Sequence, residues 1–322
     1  MRILVTGGLG FIGSSLVETL VRRGQSVTVI DSLTYAGRVD NLSREVSNLI
    51  DFHRLDISNG VELERFLDNS TYYDVALNLA AESHVDRSIL SVEKFINSNV
   101  LGTANLLTAY KNGAFGNFLQ ISTDEVYGSI ATGSWDENSP LSPRSPYSAS
   151  KASADLLCAA FVETYNLNIT LTRCANNFGP KQAVEKFLPK VIISLSKGDS
   201  IPIYGDGKNV REWIYVQDHV DALVNLMNRD LKGFNTFNLG GSSLTNLQLV
   251  EQVSSIMNVV PKIDFVEDRL GHDKRYAVDD SKYRNAFGRL EKSNLHANLQ
   301  TTIEWYQDNN NWIVESIKRT LI

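Results

Sequence analysis

Short apolar runs alternate along the chain with longer segments whose apolar positions recur every three or four residues. That alternation predicts parallel strands joined by helices. Ile3-Leu4-Val5, inside Arg2 to Thr6, reads as a buried strand. Leu16, Val17 and Leu20 then share one face of a helix expected over Ser14 to Arg23, with Gly24 as its stop. Val27 to Ile30 is a second strand. Residues 32 to 50 are polar and loop-like, and Phe52 to Leu55 is a third strand. Asp74 to Leu79 and Phe118 to Ile121 continue the series, separated by a helix over Phe95 to Tyr110 that carries Val100, Leu101, Ala104, Leu106 and Leu107. Pro143 and Pro146 precede a helix expected over Tyr147 to Tyr165, and Asn168 to Arg173 is expected to be the last long strand of this series.

Beyond about residue 175 the elements shorten. Asn176 to Pro180 reads as a turn, Val184 to Lys197 as a helix, Ile201 to Gly207 as a strand and turn, and Arg211 to Val216 as a further segment before a helix ending near Met227. Asn246 to Met257 and residues 298 to 319 are also helical in pattern, and Gly271 to Tyr276 is a polar loop. The expected architecture is α/β: a Rossmann-type doubly wound parallel sheet over 1–175 with a smaller C-terminal α/β substrate-binding lobe over 176–322. No internal repeat is evident.

Composition narrows the partners. The 322 residues are 43% hydrophobic, enough for a sizeable core, and the net charge of −6 argues against a nucleic-acid or membrane-surface partner. Cys158 and Cys174 lack disulfide-framework and metal-site spacing and read as small buried residues; no metal is expected. No apolar run approaches the roughly 20 residues of a membrane span. The chain opens directly on a strand, with no room for a signal peptide, so a cytoplasmic location is expected.

Three stretches carry chemistry. Gly7-Gly8-Leu9-Gly10-Phe11-Ile12-Gly13 lies between a strand and a helix, the setting in which glycines let the backbone approach a pyrophosphate at a helix N-terminus. Asp31 follows the second strand, 18 residues after Gly13, close to the roughly 20 residues expected for the acid that holds a ribose 2′-hydroxyl. A carboxylate there favours NAD over NADP. Asp56, followed by Ile57, could meet the adenine or cap a helix. The small residues Ala80 and Ala81 leave space for a cofactor after a central strand, and His84 and Asp86 could orient a substrate or simply bond within the loop.

The third stretch is Ser122-Thr123-Asp124-Glu125-Val126-Tyr127-Gly128, completed by Tyr147 and Lys151 four apart on a helix. A hydroxyl, two neighbouring carboxyls, a phenol and an ammonium make a proton-handling centre. A phenol titrates near about 10, so base action at neutral pH asks for a shift of roughly 3 units, about 4 kcal/mol. A cation beside it supplies part of that, and an oxidised nicotinamide could supply the rest. All three stretches follow strands of one parallel sheet, which brings them to one edge.

With those residues in hand, the chain resembles the extended short-chain dehydrogenase/reductase superfamily, and within it the dTDP-glucose 4,6-dehydratase family. The family marks are Ala80 to Ile89 (AAESHVDRSI), Ser122 to Gly128 (STDEVYG), Tyr204 to Val210 (YGDGKNV) and Gly271 to Tyr276 (GHDKRY). The resemblance implies a catalytic set of Thr123, Asp124, Glu125, Tyr147 and Lys151. It implies NAD contacts from Gly7, Gly10, Phe11, Ile12, Gly13, Asp31, Asp56, Ile57, Ala81, Tyr147, Lys151 and Asn177. Substrate contacts fall on Ser83, Thr123, Asn176, Lys186, Tyr204, Arg211, Asn246, Asp273, Arg275 and Tyr276, with Arg211 and Arg275 of the type that grips a diphosphate. The loop after Asp31 is short for the family, and Lys274 stands where Arg is usual.

The implied reaction oxidises the C4 hydroxyl of dTDP-glucose, eliminates water across C5 and C6 through Glu125 as base and Asp124 as acid, and reduces C6. Asp124 must then be a neutral acid, above its ordinary value of about 3.9, raised by desolvation and by Glu125. Adjacent strand residues face opposite ways, so the strand is expected to end by Thr123, letting both carboxyls face the sugar. A UDP-sugar 4-epimerase would share the glycines, Asp31, Tyr147 and Lys151 without needing the carboxyl pair. A NAD-binding scaffold would be expected to lose part of the set. A UDP or CDP sugar is the alternative to dTDP-glucose. The family implies a homodimer pairing the helices Phe95 to Tyr110 and Tyr147 to Tyr165.

Overall fold

The structure is a computed structural model that describes residues 1–268, 270–288 and 294–320. Among these, strands β1 (Arg2–Thr6), β2 (Ser26–Asp31), β3 (Asp51–Arg54), β4 (Tyr73–Asn78), β5 (Phe115–Thr123) and β6 (Ile169–Cys174) pair in parallel. The strands β7 (Asn176–Phe178), β8 (Ser200–Tyr204), β9 (Val210–Tyr215), β10 (Phe234–Leu239), β11 (Ser242–Thr245) and β12 (Lys262–Val266) follow. The main sheet has seven strands in the order β10-β6-β5-β4-β1-β2-β3, with β11-β9-β7 and β12-β8 as small satellites. The order reverses between β1 and β4, so the crevice beyond their C-terminal ends is the switch point at which such sheets bind ligands.

The sheet is covered on both faces. One face packs Leu16, Val17 and Leu20 of the Phe11–Arg22 helix with Val220, Leu223 and Val224 of the Val216–Met227 helix. The other packs Leu106 and Leu107 of the Gly102–Lys111 helix with Cys158 and Val162 of the Pro146–Tyr165 helix. Strands buried on both faces read as continuous apolar runs, which is why β1, β2 and β4 are legible as strands. A third core, around Leu188, Ile203, Leu249 and Tyr306, builds the smaller lobe.

Several expectations are corrected. β6 is not the last strand of the sheet, because the chain returns after residue 216 and β10 adds beside β6 in parallel register, Phe237 opposite Thr172. Asn176 to Phe178 is a strand and not a turn, pairing in parallel with β9. The helix expected over Phe95 to Tyr110 is π-helical over Ile96–Leu101 before the α-helix Gly102–Lys111. The C-terminal helix is two, Leu295–Asp308 and Asn310–Thr320. The Gly60–Asp68 and Val85–Leu90 helices were not anticipated. Both cysteines are buried and unpaired. No described helix is long and apolar enough to cross a membrane.

Candidate active site

The loops after β1, β4 and β5 converge on a cleft of about 290 Å³. Gly7 turns the chain there with φ +68°, and a Cβ on it would lie 2.6 Å from the Ala80 amide nitrogen. A Cβ on Gly13 would lie 2.1 Å from the Gly7 carbonyl oxygen, so the first helical turn packs against the loop only with glycine. The Phe11–Arg22 helix has Gly10 as its N-cap, no side-chain cap and no acid in its first turn. Its leading amides are left for an anion, and Phe11, Ile12 and Gly13 line the cleft, an arrangement that fits a dinucleotide pyrophosphate. Ala81 and Asn177 line the same cleft.

Asp31 ends β2 as expected and is buried. Its carboxylate accepts from the amides of Leu9 (3.0 Å) and Leu33 (2.9 Å), while burial pushes it above its ordinary range. Asp56 is exposed and bonds the Ser58 amide at 2.9 Å, and the helix that follows is capped by Asn59 instead. The capping alternative for Asp56 is thereby corrected. Ile57 is a core side chain held against Gly102, so only its backbone remains for a ligand.

β5 ends at Thr123 and a 3₁₀ turn, Asp124–Tyr127, follows at once. The Thr123 hydroxyl donates to Asp124 Oδ1 at 3.2 Å and accepts from the Glu125 amide at 3.3 Å. The strand end falls where the chemistry requires, but the two carboxyls do not share an outlook. Glu125 lines the cleft, whereas Asp124 is 1% exposed and lines neither this cleft nor the next one. Burial, then the negative charges of Glu125 and Glu212, push Asp124 well above the carboxylate range, with Arg211 and Thr123 pulling weakly back. That direction favours the neutral form an acid at this position needs.

Tyr147 and Lys151 both line the cleft from the first turns of the Pro146–Tyr165 helix, whose start is fixed by a capping box of Ser145 and Ser148. The part of the expected phenol tuning assigned to Lys151 is corrected; the part assigned to an oxidised nicotinamide concerns the loaded site. Burial and the charge of Glu125 push Tyr147 well above its ordinary value, with the Thr123 hydroxyl opposing them. The Lys151 ammonium donates to the Ile121 carbonyl at 2.6 Å rather than to the phenol. Burial pulls Lys151 down, and Asp155, Cys174 and Cys158 act against that.

A second cleft of about 280 Å³ adjoins the first, and Ser83, Glu125, Asn176 and Lys186 line both. Tyr204, Arg211, Asn246 and Tyr276 also line the second. Lys186 donates to the Ser83 carbonyl at 2.7 Å, and Arg211 is anchored on the Asp273 carbonyl at 2.8 Å with its guanidinium 4.4 Å from the Tyr276 ring centre.

Two expected substrate contacts do not face either cleft. Arg275 donates to the Gly133 carbonyl at 2.8 Å, because its bridge with Val210 presents Tyr276 inward and turns Arg275 out. Asp273 is buried between Arg144 (3.1 Å) and the Tyr276 hydroxyl (2.7 Å). His84 caps the Val85–Leu90 helix, accepting from the Arg87 amide at 3.4 Å, and with Asp86 it also lines the second cleft, so the structure gives it both a local bond and a place on the cleft wall.

Sequence reasoning missed Tyr35, Gln182, Glu185, Phe187, Trp213 and His272, all of which line a cleft. Glu185 and His272 flank residues that were singled out, and Tyr35 lies in the loop directly after Asp31; adjacency was the available signal.

Comparison with known proteins shows the family and agrees with the fold. The family described as GDP-mannose 4,6 dehydratase matches residues 4–302. A dTDP-glucose 4,6-dehydratase from Streptomyces griseus is 43% identical over 97% of this chain and 95% of its own length. The low-salt glycan biosynthesis protein Agl12 of Haloferax volcanii is 44% identical over 95% of this chain and 98% of its own. A crystal structure of a dTDP-glucose 4,6-dehydratase double mutant from Streptomyces venezuelae, with NAD bound, superposes with a TM-score of 0.93 at 39% identity, covering 98% of this chain and all of that one. Fold, site and similarity together place the chain in the GDP-mannose 4,6 dehydratase family.

Proposed function

We propose that this protein is an NAD-dependent hydro-lyase that converts dTDP-glucose to dTDP-4-keto-6-deoxyglucose, a step of deoxysugar biosynthesis. The observation that carries the reading is the carboxyl pair at the end of β5, with Asp124 buried beside the Thr123 hydroxyl and Glu125 open onto both clefts. An epimerase acting only at C4 has no use for that pair, and the relatives named dTDP-glucose 4,6-dehydratase support the elimination.

NAD, when bound, supplies a reversible hydride acceptor. The glycine turn and Asp31 would hold it, with Phe11, Ile12, Ala81 and Asn177 along its length. Tyr147 takes the proton of the sugar C4 hydroxyl at its phenol oxygen, with Thr123 beside it and Lys151 in the same cleft; the positive charge that would favour the phenolate is that of the oxidised nicotinamide. The C4 ketone acidifies C5, and Glu125 removes that proton. Asp124 gives its proton to the C6 hydroxyl, which leaves as water; to do so it turns out of its buried position past Thr123. Glu125 then returns its proton to C5. Ser83, Asn176, Lys186, Tyr204, Arg211 and Asn246 hold the nucleotide sugar, with Arg211 on the diphosphate.

The division at residue 175 is our reading of ligand roles, most NAD contacts before it and most nucleotide-sugar contacts after it, with Asn177 and Ser83 crossing the line. We further read the protein as a cytoplasmic homodimer. Ile96, Leu101 and Leu156 leave an exposed apolar face on two helical segments that pack side by side, and a second copy would cover it. Incubation with dTDP-glucose and NAD, followed by mass spectrometry, is expected to show loss of one water with no net use of NAD. A 4-epimer of unchanged mass would replace this reading. Water loss from UDP- or CDP-glucose alone would keep the chemistry and change the nucleotide.

A further inference from the structure

The proton-handling centre has two halves on different elements, and a buried polar bridge behind it joins them. Arg173 on β6 is directly opposite Ser122 in register, one residue before Thr123. Its Nε donates to Asp155 Oδ2 at 2.9 Å, and its Nη1 donates to the Tyr127 hydroxyl at 2.8 Å, with the guanidinium 4.8 Å from the Tyr127 ring centre. Asp155 lies one helical turn after Lys151 on the same face, and it is the neighbouring charge that acts most strongly on that ammonium. Tyr127 closes the turn that carries Asp124 and Glu125. Its hydroxyl donates onward to Asn238 Oδ1 at 2.8 Å, and Asn238 Nδ2 donates to the Trp135 and Asp279 carbonyls, which fixes the orientation of that amide.

None of Asp155, Arg173 and Tyr127 lines either cleft, and their exposures are 1%, 5% and 1%. A buried ion pair is a poor stabiliser compared with apolar residues of similar volume, so stability alone is a weak reason for this one. Its placement is a stronger one. We propose, on the reading of the site given above, that Tyr127 and Asp155 are positioning residues. Through Arg173 they set the spacing between the Tyr147–Lys151 helix and the Asp124–Glu125 turn. Asp155, one helical turn from Lys151 and tied to Arg173, serves the oxidation half; Tyr127, within the turn and tied to the same guanidinium, serves the elimination half.

The test uses the full-length protein with Tyr127→Phe, which keeps the ring and its stacking on Trp135 but removes the hydroxyl. Misplacing a catalytic group by a fraction of an ångström is expected to lower kcat between about 10- and 100-fold, with KM within about twofold. Reduced nicotinamide should build up in the steady state, because oxidation proceeds while elimination lags. Asp155→Asn should lower kcat without that build-up, and Asp155→Glu should recover part of the loss. Crystal structures read position directly. The Asp124–Tyr127 turn should shift relative to Lys151 in Tyr127→Phe, and the Lys151 ammonium should leave the Ile121 carbonyl in Asp155→Asn. Wild-type kcat in Tyr127→Phe, or a loss explained by less folded protein with no reduced nicotinamide, would overturn the proposal. If the unmodified protein dehydrates no nucleotide sugar, the functional reading fails instead. The crystal structures then decide the positioning claim, and an unmoved turn refutes it.

Discussion

The two clefts meet at Glu125 yet are built in opposite ways. The first depends on backbone at one end, the glycine turn, the leading amides of the Phe11–Arg22 helix and the small residues after β4, with side chains such as Tyr147, Lys151 and Gln182 around the rest. The second is made of side chains delivered by segments far apart in sequence, including Lys186, Tyr204, Arg211, Asn246 and Tyr276. A backbone site tolerates little change in the residues that let the chain approach, whereas a side-chain site can lose one contact and keep its shape. The contrast predicts that damage to the first cleft abolishes function and damage to the second grades it.

The largest effect should come from Gly13→Ala. The added Cβ meets the Gly7 carbonyl, which cannot move without opening the turn, so NAD binding measured by calorimetry and activity should both be lost. Next, Tyr147→Phe should lower kcat between about 10²- and 10⁴-fold while NAD still binds. In the second cleft, Arg211→Ala should raise KM for the nucleotide sugar roughly 10- to 100-fold, as for loss of charge-assisted hydrogen bonds, with a smaller change in kcat. Arg275→Ala should leave KM within about twofold, since its side chain bonds Gly133 outside the clefts. Equal effects from the two arginines would contradict the inward and outward assignment.

The smallest effect concerns stability at the junction of the clefts. Asp124 is raised above its unfolded value in the folded protein, mainly by burial. The stability its carboxyl contributes is therefore complete below the unfolded value of about 3.9 and is lost as pH rises toward the raised one. Asp124→Asn carries no such dependence. Its melting temperature should gain on that of the unmodified protein by a few degrees as pH is raised from about 4 to about 7. A gain that is the same at both ends would show that Asp124 is not held protonated.

The same contrast explains what could be read from the sequence. The glycine turn of the first cleft was legible because its parts are contiguous and their spacing has a backbone reason, Gly7 to Gly13 between strand and helix; Asp31 ends β2 as expected but lines neither cleft, its carboxylate bonding the Leu9 and Leu33 amides. The end of β5 at Thr123 was legible because two adjacent carboxyls cannot face one ligand from a regular strand. Where they point was not, since the 3₁₀ turn buries Asp124 and presents Glu125.

β10 was missed because Phe234–Leu239 interleaves asparagines with apolar residues, and only packing beside β6 makes it a strand. The direction of Arg275 depends on its bridge to Val210, far away in sequence. The Lys151 ammonium was expected beside the phenol because four-residue spacing puts the two side chains on one face. Spacing fixes the face and not the partner, and the Ile121 carbonyl on the neighbouring strand is the partner found.

The central claim is that Glu125 exchanges the C5 proton of the sugar during elimination of water, and the reaction in deuterated water tests it most directly. The account predicts one deuterium at C5 of the dehydrated product, read by NMR and mass spectrometry. It also predicts that Glu125→Gln will form neither the deuterated product nor the dehydrated one while still binding NAD. A dehydrated product without deuterium at C5, or undiminished exchange in Glu125→Gln, would contradict it.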